Sequence, residues 1–120
     1  MSLLESGENY LETILILTKR NGSVRSIDIA AEMDFTKASV SRAMSILKRE
    51  NYIIMEPDGN ILLTKEGLKK AQDVYARHTT LARFISEVLG VDKEIAERDA
   101  CRIEHIISEE TFAGIKKLMK

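Results

Sequence analysis

The chain has 120 residues, 44% hydrophobic and 31% charged, the size and balance of one soluble domain or of two small ones sharing a core. Its net charge of −1 excludes generic nucleic-acid affinity, so any such binding has to come from a local patch, and a single cysteine, Cys101, excludes an intramolecular disulfide. The longest aliphatic run, Ile14 to Leu17, is too short to span a bilayer and the start lacks a signal-peptide pattern, so the expected location is cytoplasmic.

Tyr10, Leu11, Ile14, Leu15 and Thr18 recur at helical spacing and predict a first helix over 8–19, ended by the turn residues Asn21, Gly22 and Ser23. Ser26 predicts the cap of a short second helix ending at Met33. Thr36 predicts the cap of a third over 37–50, with Val40, Met44 and either Leu47 or Ile46 facing inward. Two short helices joined by a turn of about three residues match helix-turn-helix geometry. The period then changes. Apolar runs at Tyr52–Met55 and Ile61–Leu63 flank Pro57-Asp58-Gly59-Asn60, and that turn chemistry predicts a β-hairpin.

Thr64 predicts the cap of a long fourth helix, with Leu68, Ala71, Val74, Tyr75, His78, Leu81, Ala82, Ile85 and Leu89 as its apolar stripe and Gly90 as its end. Asp92 starts a fifth helix. Ser108 can cap a sixth whose apolar side holds Phe112, Ile115 and Leu118 or Met119. The expected fold is mainly α with a small β-hairpin: a winged helix-turn-helix with the hairpin as wing, followed by a helical domain.

From Thr36 to Arg49 the third helix has Lys37, Arg42, Lys48 and Arg49 and no acidic residue. This local excess suits phosphate contact, while Thr36, Ser39 and Ser41 leave room to approach base edges in a major groove. Ala38 can at most touch a thymine methyl. Charge alone is equally well explained by a solvated amphipathic helix; the hairpin and the caps decide for DNA, because together they form a known docking geometry.

Read as helix, "ACRIEHIIS" over 100–108 places Cys101, Glu104 and His105 on one face, nearly opposite Ile95, Ile103, Ile106 and Ile107. A solvated polar surface is the bland account, and for Glu104 alone the better one. Cysteine is rarely exposed, however, and sulfur, oxygen and nitrogen at i, i+3 and i+4 suit a first-row metal. His78, inside the stripe of the fourth helix, needs a partner; singly it reads as a satisfied core histidine. Both histidines and the only cysteine nevertheless fall on two helices able to pack together.

The stretches "ENYLETI" (8–14), "IAAEMDFTKASVSRAMSILKRENYI" (29–53), "LTKEG" (63–67), Arg77-His78, "LGVD" (89–92) and "DACRIEH" (99–105) run over essentially the full length. On them the chain resembles the metal-dependent repressors of the diphtheria toxin repressor and manganese transport regulator family. The resemblance implies a cytoplasmic homodimer with a winged helix-turn-helix DNA-binding domain over 1–72 and a helical metal-binding and dimerisation domain over 73–120. It further implies a repressor of metal-homeostasis genes, not an enzyme, that binds palindromic double-stranded operator DNA when loaded with Fe(II) or Mn(II), without a membrane partner or another small-molecule substrate.

Residue by residue, the resemblance implies Cys101, Glu104, His105 and His78 as ligands. It adds Glu12 and Asn9, which lie away from the apolar side of the first helix. The iron-type branch has methionine where Asn9 stands; the manganese-type branch has aspartate there and glutamate where Cys101 stands. This chain thus combines an iron-like Cys101 with a manganese-like Glu12, and the Asn9 amide is a weak ligand. The iron branch's second site, whose carboxylate and imidazole fall at Ala82 and Glu97, is expected to be absent, as is its C-terminal SH3-like domain. A thiolate at Cys101 leans slightly toward iron, with Zn(II) and Co(II) as further candidates in vitro, because sulfur is softer than carboxylate. Ile95, Ile103, Ile106, Ile107, Phe112 and Ile115 form the expected dimer interface.

Three other readings compete. Cys101 could serve as a redox sensor in a metal-independent winged-helix regulator, released from DNA by peroxide and not by chelator. A metalloenzyme would need an open coordination position, but the chain shows no separate nucleophile, phosphate-binding glycine loop or spare general base. A passive metal-binding protein would leave the basic third helix without a role.

Overall fold

Burial of the first apolar stripe organises the N-terminal part. The computed structural model describes residues 5–119, which fall into two units, Met1–Gln72 and Asp73–Lys120, each with its own core. In the first unit α1 (Glu5–Asn21) buries Tyr10, Leu11, Ile14, Leu15 and Leu17. These join Val24, Ile29, Val40, Met44, Leu47, Ile53, Ile61 and Ala71 in one cluster, drawn from helices α2 (Ser26–Met33) and α3 (Lys37–Arg49), the hairpin and the start of α4 (Lys65–Arg83). At about 1.5–3 kcal/mol for each large apolar side chain removed from water, this shared core holds the helix-turn-helix and the wing as one body.

Local chemistry sets the joints. Asp34, in the left-handed region at φ 57°, ends α2 by donating its N–H to the Ala30 carbonyl, and Thr36 opens α3 by accepting the Ser39 N–H at 3.1 Å. The turn of α2 into α3 is therefore residues 34–36. Strands β1 (Ile53–Met55) and β2 (Ile61–Leu63) pair antiparallel with Ile54 opposite Leu62. Gly59, at φ 90°, supplies the positive-φ residue of the tip. The wing is tied back to the loop before α2, since the Asn60 side chain accepts the Val24 N–H at 3.0 Å and Ile61 N–H donates to the Val24 carbonyl at 2.7 Å. Thr64 accepts the Gly67 N–H at 3.0 Å while donating to the Asn51 carbonyl at 2.7 Å, which fixes where α4 starts.

The second unit holds the rest of α4, a π-helical turn over Phe84–Val88, α5 (Lys93–Ile103) and α6 (Glu109–Leu118). Leu81, Ala82 and Ala100 form its buried centre, with Ile103, Ile107, Phe112 and Ile115 packed around them. Asp92 accepts the Glu94 N–H at 3.2 Å and Ser108 the Thr111 N–H at 3.1 Å, so both predicted caps are in place.

Three expectations need correction, and one open alternative is decided. Ser26 is the first residue of α2, not its cap; the cap position is Arg25, whose N–H donates to Asp28 Oδ2 at 2.9 Å. Leu47, not Ile46, faces inward on α3, Ile46 being exposed. Regular α4 stops at Arg83 and does not run to Gly90. Its widened last turn, with Leu89 N–H donating to the Phe84 carbonyl, shifts the phase of the stripe, so Ile85 is buried while Val88 and Leu89 are exposed. The fifth helix ends at Ile103, and Glu104 to Ile106 form a tightened turn in which Ile106 N–H donates to the Ile103 carbonyl at 3.0 Å.

The faces assigned by the helical wheel also need correction. The buried face of α5 is Ala96, Ala100 and Glu104, so Glu104 sits with the core and not with a polar surface opposite the isoleucines. Cys101 is exposed. The isoleucine face divides: Ile103 and Ile107 pack into the unit's own core with Phe112 and Ile115, whereas Ile95 and Ile106 are exposed.

Candidate metal centre and nucleic-acid interface

Helix α3 sorts its residues cleanly. Val40, Met44 and Leu47 are buried, while Thr36, Lys37, Ala38, Ser39, Ser41, Arg42 and Lys48 are all exposed. Thr36 is partly committed, because besides capping the helix its hydroxyl donates to Ser39 Oγ at 2.9 Å. The wing adds no cation: residues 50–64 hold Glu50, Glu56 and Asp58 and neither Lys nor Arg. Helix α3, by contrast, exposes Lys37, Arg42 and Lys48, the charge that phosphate contact needs.

In the second unit α4 delivers His78 and the turn after α5 delivers Glu104. The Glu104 side chain is fully buried, its Oε2 lying 3.0 Å from His78 Nδ1 and its Oε1 3.2 Å from His105 Nε2, with the His105 side chain also buried. Those approaches do not have the direction of hydrogen bonds: His78 Nδ1 and both Glu104 oxygens are buried without a hydrogen-bond partner. Buried polar atoms are nearly always satisfied, and an ionised carboxylate left so costs several kcal/mol. A nitrogen and a carboxylate converging with unused lone pairs are a donor set for a divalent first-row cation. The residues present thus fit the group that the resemblance implies.

The other ring nitrogen of His78 meets a residue that the sequence did not single out as its partner: Nε2 lies 2.5 Å from Glu97 Oε2 on α5. Without a metal this surrounding pushes the His78 pKa up from 6.5 to about 9; the neighbouring Glu104 carboxylate is the main cause, burial opposes it, and Glu97 adds to it. Arg77, noted only as part of a matching dipeptide, donates from Nη1 to the Glu104 carbonyl at 2.9 Å and covers the Phe112 ring at 5.6 Å, pinning the turn that carries Glu104. Neither contact follows from periodicity, since the partners lie 19 and 27 residues apart. Glu12, expected away from the apolar side of α1, is buried. Asn9 is half-buried, and its carbonyl accepts the Thr13 hydroxyl at 2.8 Å.

Residues 2–61 match the iron-dependent repressor N-terminal DNA-binding domain, and residues 64–120 match the iron-dependent repressor metal-binding and dimerisation domain. A transcriptional regulator, MntR, of Escherichia coli O157:H7 is 38% identical over 91% of this chain and 70% of its own length. An HTH-type regulator of Methanocaldococcus jannaschii, MJ0568, is 31% identical over 97% of this chain and 94% of its own. The crystal structure of T. acidophilum IdeR superposes with a TM-score of 0.84 at 24% identity, covering 99% of this chain, which spans 55% of that structure's length.

A winged helix followed by a helical metal-binding and dimerisation domain defines the class: a metal-dependent transcriptional repressor. The chain belongs to the iron-dependent repressor family. None of its described helices is long and apolar enough to cross a membrane.

Proposed function

We propose that the chain is a cytoplasmic homodimer that binds palindromic operator DNA when it has taken up Fe(II) or Mn(II), and thereby represses metal-homeostasis genes. The DNA-binding part is drawn at residues 1–72 and the metal-binding and dimerisation part at 73–120. The observation that carries the reading is the set of buried, unsatisfied donor atoms on His78 and Glu104. His78 and Glu104 would hold the ion, with His105 beside Glu104 and Cys101 from the same segment, and Glu12 is kept as a further oxygen ligand on the resemblance alone. Asn9 is the weakest member of this set, an amide where a carboxylate or thioether would bind better.

When bound, the ion supplies a double positive charge that offsets the desolvated carboxylates. The chain does the rest. Buried Glu104 faces the His78 ring, Arg77 fixes the turn, and α3 presents Lys37, Arg42 and Lys48 to phosphates, with Ser39, Ser41 and the Ala38 methyl nearest the bases. Exposed Ile95 and Ile106, with Val88, Leu89 and Leu118, offer the second unit's surface for a partner copy.

The test is selection of DNA from a random pool by purified protein, first with chelator and then anaerobically with Fe(II), Mn(II) and Zn(II). A palindromic site recovered only with metal is the expected result. Equal recovery with chelator would remove the metal switch and favour a redox role for Cys101.

A further inference from the structure

His78 is gripped at both ring nitrogens, and the two grips differ in kind. Nε2 meets Glu97 Oε2 at 2.5 Å as a hydrogen bond, whereas Nδ1 faces Glu104 Oε2 at 3.0 Å without one. The Glu97 side chain is 57% exposed; that of Glu104 is wholly buried. Both carboxylates come from one segment. Seven residues apart, they lie on the same side of α5 and its closing turn, so this one element presents an acid to each nitrogen of a histidine on α4.

An imidazole that gives its Nδ1 lone pair to a cation keeps its proton on Nε2. A carboxylate accepting that proton fixes the tautomer and the ring plane and makes the imidazole a stronger donor. The two nitrogens point apart, so an ion on Nδ1 lies out of reach of a carboxylate hydrogen-bonded to Nε2. We propose that Glu97 is a positioning residue of the metal centre: it accepts the Nε2 proton of His78 and so holds Nδ1 toward a divalent cation shared with Glu104, without being a ligand itself. This rests on the reading of His78 and Glu104 as ligands.

The experiment uses the full chain with Glu97→Ala, Glu97→Gln and, as reference, Glu104→Ala. Zn(II) affinity and stoichiometry are measured by competition titration, and the His78 Nε2–H by 15N–1H correlation spectra of the Zn(II)-loaded protein. Expected for Glu97→Ala is an affinity loss of about 10–100-fold with stoichiometry unchanged, together with loss of the downfield, slowly exchanging Nε2–H signal that the Glu97 hydrogen bond gives the wild type. Glu97→Gln, which keeps an acceptor oxygen, retains that signal and loses less affinity. Unchanged affinity in Glu97→Ala, or a drop in the number of ions bound, would overturn the proposal, the latter by making Glu97 a ligand. If Glu104→Ala leaves affinity unchanged, the underlying ligand reading falls and this proposal with it.

Discussion

Glu104 shows how much one residue's environment can reveal. A carboxylate at the end of a helix normally meets water; this one is 1% exposed and lacks a hydrogen bond at either oxygen. Its nearest counterweight in the metal-free protein is the His78 imidazole, held protonated up to about pH 9. A divalent cation needs that ring neutral, so proton and metal compete over the whole range below about 9, and metal affinity should rise with pH and level off there. Calorimetry at pH 7 in buffers of different ionisation enthalpy should report about one proton released from His78 for each ion bound. Binding without proton release, and equal affinity at pH 6.5 and 9, would mean that His78 is not a ligand.

At the scale of elements, close contacts and charge make separate predictions. A Cβ added at Gly67 would stand 2.0 Å from the Tyr52 carbonyl oxygen, so Gly67→Ala has to push α4 away from the start of the wing. Denaturant unfolding should show a loss of about 1–3 kcal/mol or more, and unchanged stability would contradict that contact. On α3, Arg42→Ala and Lys48→Ala should each flatten the salt dependence of DNA binding by about 1 in log–log slope, because the wing offers no cation in their place. An unaltered slope in both would move the interface off this helix.

The same elements show what sequence could disclose. Thr36, Thr64, Asp92 and Ser108 were readable as caps, and Pro57-Asp58-Gly59 as a turn, because that chemistry acts within a few residues. The end of α5 at Ile103 was not, since no Gly or Pro interrupts 91–113 and the helical pattern runs on. The burial of Glu104 escaped for a related reason: periodicity assigns carboxylates to solvent, and only the Ala96–Ala100 stripe beside it reveals the buried side. His78 and Glu104 were legible as candidate ligands through donor type and resemblance. Glu97 as the partner of His78 required the packing of two helices to be known.

For the whole molecule the proposal joins self-association, metal and DNA. The proposed homodimer predicts that the wild-type chain sediments as a dimer at micromolar concentration and that Ile106→Glu, at an exposed apolar position, shifts it toward monomer; a wild-type monomer would contradict the dimer. If metal favours the DNA-binding state, linkage requires DNA to favour metal by the same factor, typically about 5–150-fold. The decisive measurement is the Fe(II) or Mn(II) isotherm of the wild-type chain with and without saturating selected DNA, under anaerobic conditions. The account predicts tighter metal binding in the presence of DNA, abolished by Glu104→Ala. An isotherm that DNA leaves unmoved would contradict metal-controlled repression.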